Sequence, residues 1–265
     1  MQLELDWRGV ATARLIDGHR RNPLSSPIIM RLRDFLRALA DERDTSPAWA
    51  RARVRCVAIE ATGPVFSAGH DFADFAGASD ADARTTLDAC AELNLLLGRI
   101  PQVSVAAVGG AALAGGAQLA ASCDIVLAHA EAASFCLPGV HRSGFCHTPA
   151  VALGARIGAR AAFALAALGH TVGAHEAAAI GLATRVVGAA TWRTDVDATT
   201  GGLAASFGPN SAEGKRVFFA QAGLASTAER YTLATDAMVG MFSSDEYQRS
   251  MRDFLGRRKE EPSEP

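Results

Sequence analysis

The apolar positions of this 265-residue chain change period along its length, and each change marks an element. Val10 to Ile16 has the β-branched content of a strand, and Pro23 to Ser26 reads as a turn that ends it. From Pro27 to Ala40, Ile28, Ile29, Leu32, Phe35, Leu36 and Leu39 recur at helical spacing, followed by a polar loop from Asp41 to Trp49. Val54 to Glu60 predicts a short apolar strand closed by Thr62-Gly63-Pro64, and Ser79 to Gly98 a long helix with Leu87, Cys90, Leu93, Leu96 and Leu97 on one side. Val103 to Val108 is a second such strand, a Gly/Ala loop leads into a helix over Gly115 to Ser122, and Asp124 to Ala128 is a third strand. Strands alternating with helices in this way predict an α/β architecture with buried strands. Beyond Gly158 the pattern is helical apart from Thr184 to Val187. Ser243, three residues before Glu246, predicts a capping box for the last helix, whose far end carries Arg257-Arg258-Lys259, and the tail Glu260 to Pro265 is expected to fray.

Composition narrows the classes. A 49% hydrophobic fraction is enough for a core without metals or cross-links, and a net charge of -2 lacks the basic footprint of nucleic-acid binding. Cys56, Cys90, Cys123, Cys136 and Cys146 are odd in number, widely spaced and mostly in apolar runs, which predicts reduced thiols and a cytosolic compartment. The acidic start Met1-Gln2-Leu3-Glu4-Leu5-Asp6 lacks the order of a signal peptide, so neither export nor cleavage is expected. Ile100 to Cys123 is free of charge and long enough for a bilayer, but its Gly punctuation reads as strand, turn and buried helix, so no membrane span is expected.

Two segments carry the candidate chemistry: Phe66-Ser67-Ala68-Gly69-His70-Asp71-Phe72, and Gly109-Gly110-Ala111-Ala112-Leu113-Ala114-Gly115-Gly116-Ala117-Gln118. Glycines at a helix start let a ligand approach unpaired N–H groups, and the helix dipole favours negative charge there. Either segment alone is a common α/β turn. Together, in this order, they resemble the signature of the enoyl-CoA hydratase/isomerase (crotonase) superfamily. Arg21-Asn22-Pro23-Leu24-Ser25 is similar to its early turn, Ala121-Ser122-Cys123-Asp124-Ile125 to the strand after its Gly helix, Thr171 to Leu182 to a later helix-turn segment, and Phe254 to Lys259 to its closing helix. The likeness runs from about residue 8 to 259.

The resemblance implies a crotonase (ClpP-like) spiral of ββα units over residues 1–200, holding an acyl-CoA cleft, and a helical trimerisation region over 201–265. It implies an acyl-CoA as substrate, no further cofactor, no metal, and a homotrimer or homohexamer. The thioester oxygen would be held by the backbone N–H groups of His70 and Gly115, one such donor being worth about 3–4 kcal/mol of barrier. Asn22, Ala68, Asp71, Phe72, Ala114, Gly116, Pro138, Arg142, Phe145 and Lys259 are expected around the substrate.

The chain departs from the hydratase pattern at two places. Where hydratases carry two carboxylates, it has Gln118 and Gly139, neither of which exchanges a proton at neutral pH. Such groups supply about 10²–10⁴-fold each, so enoyl-CoA hydratase is the expected family description rather than the expected reaction. Gln118 and the segment Pro138-Gly139-Val140 to Thr148-Pro149 resemble the enoyl-CoA hydratase domain-containing protein 3 group. The Ser67-Ala68-Gly69-His70-Asp71 loop also resembles methylmalonyl-CoA decarboxylase, which has a tyrosine where this chain has Phe145.

Among the polar candidates, His70 reads as a loop histidine whose backbone matters more than its ring, and Asp71 as a cap on the following turn. His141, Arg142 and His147 fall in the segment expected to line the acyl pocket; His141 is a candidate catalytic group, and Arg142 would suit a substrate carboxylate. Cys136, His141, Cys146 and His147 match no zinc spacing. Three readings follow: an acyl-CoA decarboxylase, thioesterase or isomerase built on the oxyanion hole, a non-catalytic acyl-CoA binder, or a hydratase that borrows Asp88 or Glu92 from the long helix.

Overall fold

The computed structural model describes residues 1–40 and 54–260, the side chains of 256–260 excepted, so the polar loop expected at Asp41 to Trp49 lies outside the described residues. Two compact units are distinguished, Met1–Ser206 and Phe207–Pro265.

The first unit repeats one supersecondary pattern. The strands β1 (Gln2–Leu5), β2 (Val10–Leu15), β4 (Cys56–Ala61), β7 (Val103–Val108), β9 (Ile125–His129) and β12 (Arg185–Val187) form a six-stranded sheet in the order β1-β2-β4-β7-β9-β12. All its pairings are parallel except β1 with β2. A second sheet has the order β11-β10-β8-β5, from β5 (Val65–Ser67), β8 (Ala111–Leu113), β10 (Ser134–Cys136) and β11 (Thr171–Gly173). Thus β4-β5, β7-β8 and β9-β10 each give one strand to each sheet before the chain leaves through a helix. This is the crotonase-type spiral. Among the described residues the α-helices are α1 (Ser26–Ala40), α2 (Asp80–Arg99), α3 (Gly115–Ser122), α4 (His147–Ile157), α5 (Ala159–Leu168), α6 (Ala174–Ala179) and α7 (Trp192–Ser206).

Burial follows the sequence pattern. All six residues of β7 are buried, as a central parallel strand covered on both faces requires. On α1, Ile29, Leu32, Leu36 and Leu39 form the buried stripe that packs against α2, whose buried face includes Cys90, Leu93 and Leu97. Ser79 caps α2 by accepting from Asp82 N–H. The charge-free stretch from Ile100 to Cys123 becomes β7, β8 and α3, and among the described residues no helix is long and apolar enough to cross a membrane.

Two expectations are corrected. Pro23–Leu24 is not a terminating turn but a two-residue strand, β3, paired in parallel with β6 (Gly69–His70), and α1 begins at Ser26. A proline is tolerated there because an edge strand can spare an N–H. In the second unit α8 (Pro209–Ala222), α9 (Thr227–Ser243) and α10 (Asp245–Glu260) follow one another, and Ser243 ends α9 rather than capping α10. The cap of α10 is Ser244, whose Oγ accepts from Tyr247 N–H, and the full capping box belongs to Ser226 and Glu229 at α9.

Arg156, on α4, ties three parts of the first unit together. Its guanidinium donates to the carbonyls of Leu182 (2.7 Å) and Cys123 (2.6 Å), and more weakly to that of Ala121, while Thr184 Oγ1 accepts at 2.9 Å. Ala121 and Cys123 are at the C-terminal end of α3, where backbone carbonyls lack helical partners. Replacing Arg156 with Met should cost about 2–4 kcal/mol, because buried carbonyls lose charged donors. Thermal unfolding should then shift down by about 5–15 °C; an unchanged midpoint would show the clamp to be dispensable.

Candidate active site

The site is built where two short loops meet. Residues 67–70 are held from behind. Ser67 Oγ donates to the Asn22 carbonyl at 2.8 Å and accepts from Gly69 N–H at 3.1 Å, and Ala68 N–H donates to the Arg21 carbonyl at 3.0 Å. Asn22 is itself fixed, donating through Nδ2 to the carbonyls of Thr62 and Val65, both at 2.8 Å. Asn22 therefore braces the loop from the interior. Both Arg21 (φ 67°) and Asn22 (φ 50°) adopt the left-handed conformation that turns the chain into this brace.

Gly69, at φ +89°, sets the direction of the next amide. The Asp71 N–H is spent on the Leu24 carbonyl at 3.3 Å, on the β3 side. Consecutive amides of extended backbone point opposite ways, so the His70 N–H turns from β3 toward α3. The second loop arrives from β8. Ala114 N–H donates to the Cys136 carbonyl at 2.9 Å, and Ala114 takes φ 47°, ψ -114°, a strained conformation for a residue with a Cβ. That twist starts α3 abruptly, leaving Gly115 N–H among the four amides that a helix cannot satisfy internally.

The two backbones nearly touch. A Cβ on Gly69 would lie 2.9 Å from Gly115 N, and one on Gly116 would lie 2.3 Å from the Ser67 carbonyl oxygen, so neither position accepts a side chain. A Cβ on Gly115 would meet only ordinary contacts, 3.4 Å from His70 Cδ2 and 3.5 Å from His70 N. It would stand beside the His70 amide. Two amides facing one space at a helix start make an anion site, and α3 adds its dipole.

The remaining residues fall into place around it. Gln118 is buried on α3, one turn beyond Gly115 on the same face, with Oε1 unpartnered. Gly139 lies in a 3-10 turn, Pro138–Arg142, that leaves β10 beside Leu113 and Ala114. A Cβ there would sit 2.9 Å from Cys146 N and from the Phe145 carbonyl carbon, so backbone closes the position. His141 Nε2 lies 3.0 Å from the Gly169 carbonyl oxygen, which anchors the turn, and Arg142 is exposed. Phe145 stacks edge-on with His147 and tilted against Phe163. Phe72 is exposed at the start of the turn after His70.

Asp71 is not free for substrate: Oδ1 accepts from Ala73 N–H, capping that turn, and Oδ2 accepts from Arg20 at 2.8 Å. Those hydrogen bonds hold its carboxyl below the usual range. The two α2 carboxylates considered above are also engaged. Glu92 is bound by Arg37 on α1 and Asp88 pairs with Arg84 on the exposed side. The five cysteines are buried and free, and burial pushes Cys56 up to about 12 and Cys90 to about 11, so these two are thiols, not nucleophiles. The side chain of Lys259 lies outside the described residues. Ser67, which no motif marked by its hydroxyl, is the functional residue the sequence reading missed; its signal was only a small residue two before a glycine.

The sequence model of the enoyl-CoA hydratase/isomerase family matches residues 8–263. The chain belongs to the enoyl-CoA hydratase/isomerase family. Among curated members, the enoyl-CoA hydratase domain-containing protein 3, mitochondrial, of Rattus norvegicus is 34% identical over 253 residues, covering 95% of this chain and 80% of that protein. Its Homo sapiens counterpart is 30% identical over 252 residues, with the same coverage. The solved structure of a hydratase/isomerase family protein from Silicibacter pomeroyi superposes with TM-score 0.81 at 36% identity, over 92% of this chain and 99% of that one. The human domain-containing protein 3 gives TM-score 0.85 at 27% identity, over 97% of each chain. Within the family the chain thus falls with the domain-containing protein 3 group. The expected cytosolic compartment is overturned, because the curated members of that group are named mitochondrial. Reduced thiols separate oxidising from reducing compartments and do not tell one reducing compartment from another.

Two outcomes test the geometry. Gly115→Ala should fold with a near-native unfolding midpoint yet lose about 10²–10³-fold in thioester turnover, since the new methyl stands beside the His70 amide; equal turnover would remove the amides from the chemistry. The second concerns protonation. Burial lowers the His70 pKa from its ordinary value, against the pull of the Asp74 charge and the nearby Leu24 carbonyl. Below the unfolded pKa of about 6.5 the unfolded chain therefore binds the extra proton, and stability falls as pH drops toward the folded value. Denaturant titrations at pH 7 and pH 5 should show a larger loss for the native chain than for His70→Phe.

Proposed function

We propose that this chain binds an acyl-CoA thioester and stabilises the negative charge that develops on its carbonyl oxygen, without adding water across a double bond. The observation that carries the reading is the close approach of His70 N and the first turn of α3 with no side chain between them. Preorganised donors aimed at a developing oxyanion are among the strongest rate-enhancing devices available to a protein.

The absence of hydration follows from the two positions that would supply it. Gln118 cannot ionise, and at Gly139 the Phe145–Cys146 backbone occupies the space a side chain would need. Reactions that suit such a site are those whose main barrier is the oxyanion or enolate itself: loss of carbon dioxide from a malonyl-type thioester, or thioester hydrolysis by a bound water. The first needs no general base, since the departing carboxylate leaves its electron pair on the enolate.

The reading is tested by incubating the purified protein with crotonyl-CoA, methylmalonyl-CoA and butyryl-CoA, with mass spectrometry and calorimetric binding in parallel. Thioester binding is expected in the micromolar range or tighter, with crotonyl-CoA hydration at least about 10⁴-fold slower than in a family member carrying both carboxylates. Binding without any product would reduce the protein to an acyl-CoA binder. Brisk hydration would show that acid–base groups are supplied from elsewhere and would refute the proposal.

A further inference from the structure

Ala114 is where the candidate oxyanion hole stores backbone strain. Its φ of 47° and ψ of -114° mirror the extended region, a combination open to glycine and costly for a residue with a Cβ. Up to its Cα the chain is fixed, because the Ala114 N–H donates to the Cys136 carbonyl at 2.9 Å. Beyond it lies the Ala114–Gly115 peptide. Its carbonyl accepts the Gln118 N–H at 3.0 Å, opening the hydrogen-bond ladder of α3, and its N–H is one of the paired amides.

The torsions flanking that peptide permit a second orientation. A half-turn of the peptide plane would take Ala114 ψ to about +66° at an unchanged φ of 47°, the left-handed helical region, which alanine tolerates better. The opposite half-turn falls on Gly115 φ, which would leave the helical range for about +120°, a value that only glycine adopts readily. The orientation seen does not itself demand glycine at 115, since its φ is not positive and a Cβ would meet nothing closer than 3.4 Å. The reversed one does. Reversal relaxes Ala114 at the expense of the Gln118 bond, two opposing effects of similar size. It also turns the Ala114 oxygen, in place of the Gly115 N–H, toward the His70 amide, where that oxygen would accept as a ligand does.

We propose that the Ala114–Gly115 peptide is a two-state element that opens and closes the oxyanion hole, with Ala114 the positioning residue whose strain sets the balance. A ligand oxygen that takes the Gly115 N–H binds the open orientation alone and draws the population to it, with an affinity lowered by the fraction that is closed. The ligand step rests on the acyl-CoA reading above; the exchange belongs to the free chain.

Amide relaxation dispersion on the full chain, labelled at glycine nitrogen, tests it together with calorimetric titration by butyryl-CoA. In the free native chain Gly115 should exchange on the microsecond-to-millisecond scale, and saturating butyryl-CoA should quench that exchange. Ala114→Gly removes the strain and keeps the helix bond, so it should quench the exchange without ligand and bind butyryl-CoA about three- to tenfold more tightly. A purely structural role would raise the unfolding midpoint of Ala114→Gly while moving neither readout, and would overturn the proposal. A Gly115 amide without exchange in the free native chain overturns it as well, whether or not the variant folds. Failure of butyryl-CoA to bind the native chain would count against the acyl-CoA reading instead; exchange at Gly115 that disappears in Ala114→Gly would still support the two-state peptide.

Discussion

Between the Ser67–His70 loop and the first turn of α3 the two backbones touch without an intervening side chain, and the specialised residues around them serve to keep that contact. Gly69 and Gly116 are the positions where a single methyl would collide with the opposing main chain. Ser67 and Asn22 brace one partner from the interior, while Arg156 clamps the far end of the helix that forms the other. Because rigid elements transmit displacement rather than absorb it, a hole for an oxyanion can be held to a fraction of an ångström by groups that never touch the ligand.

The chemistry permitted by this arrangement is set as much by what is neutral as by what is charged. The carboxylates near the site are engaged: Asp71 by Arg20, Asp74 by the amide and hydroxyl of Ser26, Glu92 by Arg37. Beside the amides stand the His70 imidazole, whose pKa burial lowers, and the buried Gln118 carboxamide. Neither Gln118 nor Gly139 carries a group that exchanges a proton at neutral pH. Membership in the hydratase/isomerase family fixes the fold and leaves the reaction to the residues of the site.

The sequence showed α3 to the residue, Gly115–Ser122, because a Gly/Ala loop must precede it and Cys123 and Asp124 open the next strand. It also showed β7, whose apolar run has one reading once both faces are covered. The strands of the second sheet escaped: β5, β8, β10 and β11 are three residues each, too short for a period to register. Pro23–Leu24 was misleading for a related reason, since its pairing with Gly69–His70 is decided forty-six residues away along the chain. Arg156 left no motif, because three of its four partners are carbonyls, which every residue possesses. The amide pair was legible through glycines, whereas the setting of the His70 ring depends on three-dimensional packing by Phe75 and Gly115.

The backbone packed over Gly139 also bears on how this site could change over time. An acid lost by simple replacement can be regained by the reverse replacement. Here the Phe145–Cys146 backbone occupies the room a side chain would use, so placing an acid at residue 139 would need a compensating shift of that segment. Two coordinated changes are much rarer than one. Acquiring a carboxylate at residue 139 is thus governed by the neighbouring main chain as much as by residue 139 itself.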